Sequence, residues 1–479
     1  MELPQDSHKI SLSETIFLKN TQKGRNMTTM ASEQMDRVWR PMTQHQPLRS
    51  NPPKRMVKGE GCYITDQDGN TLLDGTAGLW CVNIGYGRTE LGEVAKEQMG
   101  SLGYLAPVMT HGPAVDLADK LQNMLGLEGH VYFTSSGSEA NETAFKIARQ
   151  YHLQSGQPGG ERRYKIISRH RAYHGNTMAA MAATGQAERK MGYDPMPPGF
   201  LHIMPPYPYR ANPKLTAEEH GEECARMLEE TIIHEGKETV AAFIMEPMIS
   251  GGGILVPPDN YLPLVREVCD RYGVLLIFDE VVSGFGRTGR MFGHQNWNTY
   301  ADIFSFAKGI SSGYVPLAAT MVQEHVFEKF YGDASTLNHF RQINTYGGHP
   351  VATAVGLKNI EIIEGEKLDE NARKMGEYLI GQLRESIGDH PWVGEIRGKG
   401  LLVGVELVSD RETKEPLENA KVGGVVAHCQ QNGVIIGRNG NTVPGRCNVL
   451  IMAPPLVLQP ADADRIVDAM RNALNQALN

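Results

Sequence analysis

Residues Val274–Gly289 read VLLIFDEVVSGFGRTG, and Asp302–Gly313 read DIFSFAKGISSG. In the first stretch an unbroken apolar run enters Asp279-Glu280. In the second a shorter run ends at Lys308-Gly309. Short apolar runs closed by turn-forming residues are the pattern of buried strands. The same pattern recurs outward from them, at Val131–Phe133, Tyr164–Ser168 and Val240–Met245. Between the runs lie segments with helical spacing of apolar residues: Thr89–Leu102, Val115–Leu125, Ala140–Tyr151 and Leu262–Tyr272. Strands alternating with helices predict βαβ units and a mostly parallel sheet, an α/β fold.

The pattern changes near Thr345. Two long helical stretches follow, Pro350–Glu364 and Leu368–Ile387, then a strand within Gly400–Leu407 and a final helix over Ala461–Leu478. Near the other end, Cys62–Leu73 reads as a hairpin around Asp68-Gly69-Asn70. The expected organisation is a disordered leader (1–30), a large domain (81–345), and a small domain built from 31–80 together with 346–479.

The chain has 479 residues, 41% hydrophobic and 21% charged, with a net charge of -8. That balance excludes wholesale disorder and argues against nucleic acid or an anionic membrane surface as partner. No apolar run approaches the roughly 20 residues of a membrane-spanning helix. The leader lacks the apolar core of a secretory signal, so the expected address is the cytoplasm. Six cysteines, at 62, 81, 224, 269, 429 and 447, form no C-x-x-C pair. They read as reduced thiols, and no metal site is expected.

Three motifs are set aside. Gly284–Gly289 matches G-x-G-x-x-G, but Asp279-Glu280 intervenes after the strand and RMFGHQNWN is a poor helix start. His170 and His174 stand four apart without an HExxH glutamate. The G-x-S-x-G spacing at Gly309–Gly313 (GISSG) is not taken as an α/β-hydrolase serine elbow.

Four features carry chemistry. The turn Ser135–Ser138 leads from a strand into a helix, whose free amides and dipole suit an anion, although serine is also a favoured helix cap. Asp279 and Glu280 must point to opposite faces of their strand. One carboxylate therefore lies at the end of a buried strand and needs a cationic partner, unless the pair is simply at the surface. Lys308, desolvated, would have a neutral amine able to form a Schiff base; the alternative is a lysine that snorkels to water. Tyr173, in Arg171–Gly175 (RAYHG), could lie on a planar ring or serve as an ordinary loop tyrosine. Together they supply what pyridoxal phosphate requires: a phosphate seat, a carboxylate for the pyridine nitrogen, a lysine and a stacking ring.

The chain resembles a class III (ω-amino acid) pyridoxal-phosphate aminotransferase over roughly Trp39–Leu474. The carriers are Leu276–Gly289, Phe306–Gly309, Asp74-Gly75, Asn83–Tyr86, Ser136–Asn141, Tyr173–Gly175, Glu246-Pro247 and Thr345–Pro350. The resemblance implies fold type I, with a mostly parallel seven-stranded-type sheet in the large domain and a small α+β domain from both chain ends. It implies that Lys308 is the Schiff-base lysine and proton shuttle, and that Asp279 holds the pyridine nitrogen protonated. Val281 would pack under the ring and Tyr173 would cover its other face, with His174 and Glu246 also among the cofactor-binding residues. Ser136, Gly137 and Ser138 would bind the phosphate. Thr345 would reach the phosphate of a neighbouring subunit, giving a homodimer with shared sites, or a tetramer built from it. Glu246 and Arg438 resemble the family's polar switch for the substrate's acid group.

Gly78–Asn83 (GLWCVN) resembles the pyruvate-using taurine and β-alanine enzymes, with Trp80 walling the substrate pocket unless it is a core tryptophan. Val443–Cys447 departs from that group and brings a second cation, Arg446. The implied reaction is transamination of taurine or β-alanine with pyruvate. A broad amine or diamine–pyruvate aminotransferase is the alternative.

Overall fold

The computed structural model describes residues 37–156, 159–439 and 448–478. The expected leader and Arg446 lie outside the described residues. Two compact units are present, residues 1–57 with 66–70, and residues 58–65 with 71–479. In the first, the Asp66 carboxylate takes the backbone N–H groups of Asp68 and Asn70, each at 2.9 Å, and Lys54 Nζ at 3.0 Å. These bonds form the turn expected at Asp68–Asn70.

Strands β1 (Met56–Glu60), β2 (Tyr63–Asp66) and β3 (Thr71–Asp74) come first. Within the second unit Tyr63–Thr65 pairs antiparallel with Thr71–Leu73, as the hairpin reading requires. The central sheet has seven strands: β4 (Gly129–Thr134), β5 (Lys165–Arg169), β6 (Phe200–Ile203), β7 (Val240–Met245), β8 (Leu275–Asp279), β9 (Ile303–Phe306) and β10 (Ala318–Gln323). Their order is β4-β10-β9-β8-β7-β5-β6. β10 runs antiparallel to both β4 and β9, and the other pairs are parallel.

Period-two alternation divides the three middle strands between two apolar clusters. Phe243, Met245, Leu276, Phe278, Phe304 and Phe306 pack on one side, with Leu262 and Val265 of the helix Tyr261–Tyr272. Ala242, Ile244, Leu275, Ile277 and Ile303 pack on the other, with Ala144, Phe145 and Ile147 of the helix Gly137–Gln154. Every residue of β7, β8 and β9 is buried. Their carboxyl ends gather at one edge, where open α/β sheets place their ligands.

Beyond Thr345 the helices Pro350–Gly365 and Leu368–Ile387 form as expected. β11 (Val393–Gly398) and β12 (Val403–Leu407) follow, then β13 (Val434–Ile435), β14 (Gly437–Asn439) and β15 (Asn448–Met452), and the helix Pro460–Leu478 closes the chain. β13 joins β3 in parallel, so strands from opposite ends of the chain share one sheet. A further sheet has the order β11-β12-β15-β14.

The strand expected within Gly400–Leu407 starts only at Val403, because the chain turns through Gly400 at φ +56°. Gly284–Gly289 is a run of turns, with Phe285, Gly286 and Gly289 at positive φ, and no helix opens there. Its Arg287 is fully buried, donating to Asn83 Oδ1 at 2.7 Å and to the carbonyls of Leu401 and Pro454. Burial pushes its guanidinium down to about 10. Among the described residues no helix is long and apolar enough to cross a membrane.

Candidate active site

Asp279 ends β8 and is buried. One carboxylate oxygen accepts from Asn141 Nδ2 at 2.7 Å and His174 Nδ1 at 2.8 Å; the other accepts from the Val281 N–H at 3.1 Å. Glu280 turns to the other face, as strand geometry demands. There it accepts from Ser283 Oγ (2.5 Å), the Gly293 N–H (2.9 Å), and the N–H and Nδ1 of His294 (both 2.8 Å). A simple surface pair is thereby excluded: both acids are buried, and each grips its own imidazole.

One strand over, β9 passes through Ala307 into Lys308, which sits at φ +47°. That left-handed conformation is costly for a side-chain-bearing residue. Burial holds the Lys308 ammonium below its ordinary pKa, although the carboxylates of Asp279 and Glu246 pull the other way. Among the described residues the Lys308 amine has no hydrogen-bond or ion-pair partner. It lies 5.7 Å from the centroid of the Trp80 ring.

Trp80 is held there by a strained loop. Ala77, Gly78 and Trp80 all have positive φ. The buried Asp74 carboxylate pins this loop through Thr76 N–H (3.0 Å), Thr76 Oγ1 (2.7 Å), Gly78 N–H (2.6 Å) and Tyr86 OH (2.6 Å).

The serine-glycine turn leads from β4 into a helix, as its sequence suggests. Ser136 caps the helix Gly137–Gln154 by accepting from the Glu139 N–H at 3.3 Å, while the Glu139 carboxylate reaches back to the Ser135 N–H at 2.7 Å. The amides of Gly137 and Ser138, at the first two helical positions, have no partner within the helix. Ser138 Oγ meets Asn176. A Cβ on Gly137 would stand 3.0 Å from Val281, so glycine keeps this floor open. Val281 itself rests on Ala140, Ala307 and Ala318, three small side chains.

Glu246, just beyond β7, is buried and accepts from Tyr173 N–H (3.2 Å), Ser250 N–H (2.9 Å) and Ser250 Oγ (2.8 Å). Burial raises its pKa, with the nearby His174 opposing. Tyr173 is half-buried, and burial raises its phenol as well.

Lys308, Asp279, His174, Tyr173, Glu246, Trp80, Val281 and the 136–138 turn are thus linked through direct contacts and adjacent strand ends. Two expected residues lie apart from this group. Thr345 is exposed, its carbonyl accepting from Tyr104 OH at 3.0 Å. Arg438, on β14, is exposed and donates to the Asn419 carbonyl at 3.1 Å; it is not paired with Glu246.

The residues present fit pyridoxal phosphate. They offer an amine without a partner, a buried carboxylate at a strand end and uncommitted helix amides above an open glycine floor. Sequence reasoning gave Asn141 and Asp74 no role. Asn141 carries a readable signal, a polar residue between Ala140 and Ala144 on a helix's apolar side. Asp74 has none, since its partners, two loop amides and two hydroxyls, are brought to it by the loop's conformation. Among the described residues no cluster of three or more His, Cys, Asp or Glu side chains could hold a metal.

The family model for class-III aminotransferases matches residues 45–474. An uncharacterized aminotransferase of Bacillus subtilis, YhxA, is 51% identical over 87% of this chain and 90% of its own length. A taurine–pyruvate aminotransferase of Bilophila wadsworthia is 43% identical over 91% and 94%. A putrescine–pyruvate aminotransferase of Pseudomonas aeruginosa is 39% identical over 91% and 93%. Among solved structures, a Bacillus anthracis aminotransferase superposes with a TM-score of 0.90 at 49% identity, covering 94% of this chain and 98% of its own. An amine transaminase from an uncultivated Pseudomonas species, solved with pyridoxal phosphate bound, gives 0.87 at 36% identity, covering 92% and 99%.

Proposed function

The chain belongs to the class-III aminotransferases, which work with pyridoxal 5′-phosphate, and from that premise we propose that it transfers the amino group of an ω-amino acid of the taurine or β-alanine type to pyruvate, giving an aldehyde and alanine. The observation that carries the reading is the union of a desolvated Lys308 with a buried, doubly gripped Asp279 beneath the Trp80 wall. Relatives that bear taurine–pyruvate names support the choice of donor.

When bound, the cofactor supplies an electron sink for the bond being broken. The rest falls to the chain. Asp279, locked by Asn141 and His174, holds the proton at the pyridine nitrogen. Lys308, whose ammonium burial makes easier to deprotonate, would take a proton from the donor's amine-bearing carbon and return it to the cofactor's C4′ carbon. The amides of Gly137 and Ser138, with Ser136 and Ser138 hydroxyls beside them, bind the phosphate. Val281 would pack under the ring and Tyr173 would cover it, while His174 and Glu246 would fix the floor behind.

Trp80 and Tyr173 wall the substrate volume, and Arg438 swings in to meet the acid group. Its exposure and, among the described residues, its single bond to the Asn419 carbonyl are compatible with such movement. Thr345 serves the site of a second copy, making a homodimer. Its neighbours Ile343 and Tyr346 are 68% and 65% exposed, a surface a second copy would cover. The β3–β13 pairing supports a small domain assembled from both chain ends, and the cytoplasm is the proposed address.

A broad amine or diamine donor is the second reading. It is favoured by the aromatic walls and by the putrescine-using relative. Alanine formation from pyruvate, measured across taurine, β-alanine, putrescine and a simple primary amine, separates the two. Preference for the acidic donors supports the first reading, and preference for the diamine or amine overturns it.

A further inference from the structure

Arg189 stands where an anchor is needed and has no established task. It closes a short 3-10 turn, Ala187–Arg189, and is half-buried. Its guanidinium carbon lies 5.4 Å from the centroid of the Tyr173 ring. Its Nε has one weak acceptor, Gln186 Oε1 at 3.4 Å. Among the described residues it pairs with no carboxylate. A half-buried guanidinium has shed part of its water and gains little from one neutral oxygen, so it retains capacity for an anion.

Its surroundings connect it to the reacting end of the site. Gln186 is buried, and its Nε2 donates to the Arg171 carbonyl at 2.9 Å. That amide stands 3.3 Å from where a Cβ on Gly251 would sit, and the edge of the Trp80 ring stands 3.6 Å from the same point. Trp80 in turn lies over Lys308. Arg189, Gln186, Gly251 and Trp80 thus form one continuous wall, with Tyr173 beside it and Lys308 at the far end. Arg438 is tethered on the exposed side to Asn419, whereas Arg189 is already seated on a ring of the pocket. A guanidinium stacked on an aromatic face keeps its in-plane N–H groups free to donate.

Resting on the donor reading above, we infer that Arg189 is a specificity-determining residue: its guanidinium, stacked on Tyr173 and braced by Gln186, binds the sulfonate or carboxylate of the ω-amino acid while the amine faces Lys308. Arg438 is then left to serve the keto acid's carboxylate.

The test uses the loaded enzyme and the variants Arg189→Gln and Arg189→Lys, each first checked for unchanged melting and cofactor absorbance. The first readout is the ratio of kcat/KM for taurine to that for a neutral primary amine of similar length. Loss of one charge-assisted contact should lower this ratio in Arg189→Gln by about 10- to 100-fold, carried in KM. Arg189→Lys, which keeps the charge without the planar fork, should fall between. The second readout needs no turnover: calorimetric binding of ethanesulfonate, which lacks the amine, should weaken by a similar factor. An unchanged ratio, or equal losses for taurine and the neutral amine, would make Arg189 a support for Tyr173 and overturn the inference. Wild-type protein that ignores every acidic donor would instead overturn the donor reading, and this inference with it.

Discussion

Replacing Asp279 by Asn tests the core of the site. Three N–H groups converge on this carboxylate, two on one oxygen and one on the other. An amide has only one oxygen. Turned toward Asn141 and His174, it keeps two bonds and sets its NH2 against the Val281 N–H; turned the other way, it faces two donors with a third. The first orientation wins, so the geometry survives. Each retained bond falls from charge-assisted to neutral strength, about 1 kcal/mol apiece, and the orphaned Val281 N–H costs about 1–3 kcal/mol more. A neutral amide is cheaper to bury than a carboxylate, which offsets part of that loss. A net destabilisation of about 1–3 kcal/mol leaves a domain with the usual 5–15 kcal/mol folded.

The rate should suffer more. Deleting one member of a buried charge pair costs about 3–5 kcal/mol, which is roughly 10²- to 10⁴-fold in the half-reaction. Stopped-flow single turnover of the loaded enzyme with excess donor and no keto acid reads this directly. Glu280→Gln is the control. It disturbs four hydrogen bonds on the opposite face and should lower the melting temperature, while leaving the single-turnover rate of the folded protein far less changed. Equal slowing by the two changes would refute the assignment of the ring proton's partner to Asp279.

Lys308 reacts as the neutral amine, and burial lowers its pKa. Covalent capture of added pyridoxal phosphate by cofactor-free enzyme should therefore accelerate with rising pH and level off below the ordinary lysine value of about 10.4. Half-rise at that ordinary value would contradict a desolvated amine, and any covalent cofactor after borohydride treatment of Lys308→Ala would move the linkage elsewhere. Gly137→Ala places a methyl 3.0 Å from Val281, beneath the anion seat. It should weaken pyridoxal-phosphate binding by about tenfold, the effect of roughly 1–3 kcal/mol of overpacking, as read by fluorescence titration. Unchanged affinity would show that the phosphate does not sit there.

The central strands were legible because they are buried on both faces: β7, β8 and β9 are almost wholly apolar. β10 escaped because AATMVQ mixes small and polar residues without a clear period, and β6 because FLHI is only half-buried. The helix Ala217–His234 hid behind its acidic face, although Thr216 and Glu219 form a capping box at its start. β13 and β14 are two and three residues long and exist through their neighbours.

Within the site, the residues at the ends of long apolar runs, Asp279 and Lys308, could be found because the chain points to them. Asn141 and Asp74 could not be assigned, since their roles are fixed by partners distant in the sequence or by loop conformation. Arg189 is of the same kind. Only the folded chain brings its guanidinium onto Tyr173.

The back-to-back acids at the end of β8 also bear on how the chain assembles. Each grips an imidazole Nδ1 at 2.8 Å, His174 for Asp279 and His294 for Glu280, in a region that excludes water. A strand misthreaded by a single residue would turn each acid to the wrong side. The two stems differ by one methylene, so neither could take over the other's partners. Both carboxylates, both imidazoles and several amides would then be stranded in the interior, at about 1–3 kcal/mol for each group. That sum rivals the whole stability of an ordinary domain, roughly 5–15 kcal/mol. The pair therefore proofreads the threading of the central strand, and a chain that has folded with both imidazoles engaged has already aligned the edge on which its chemistry depends.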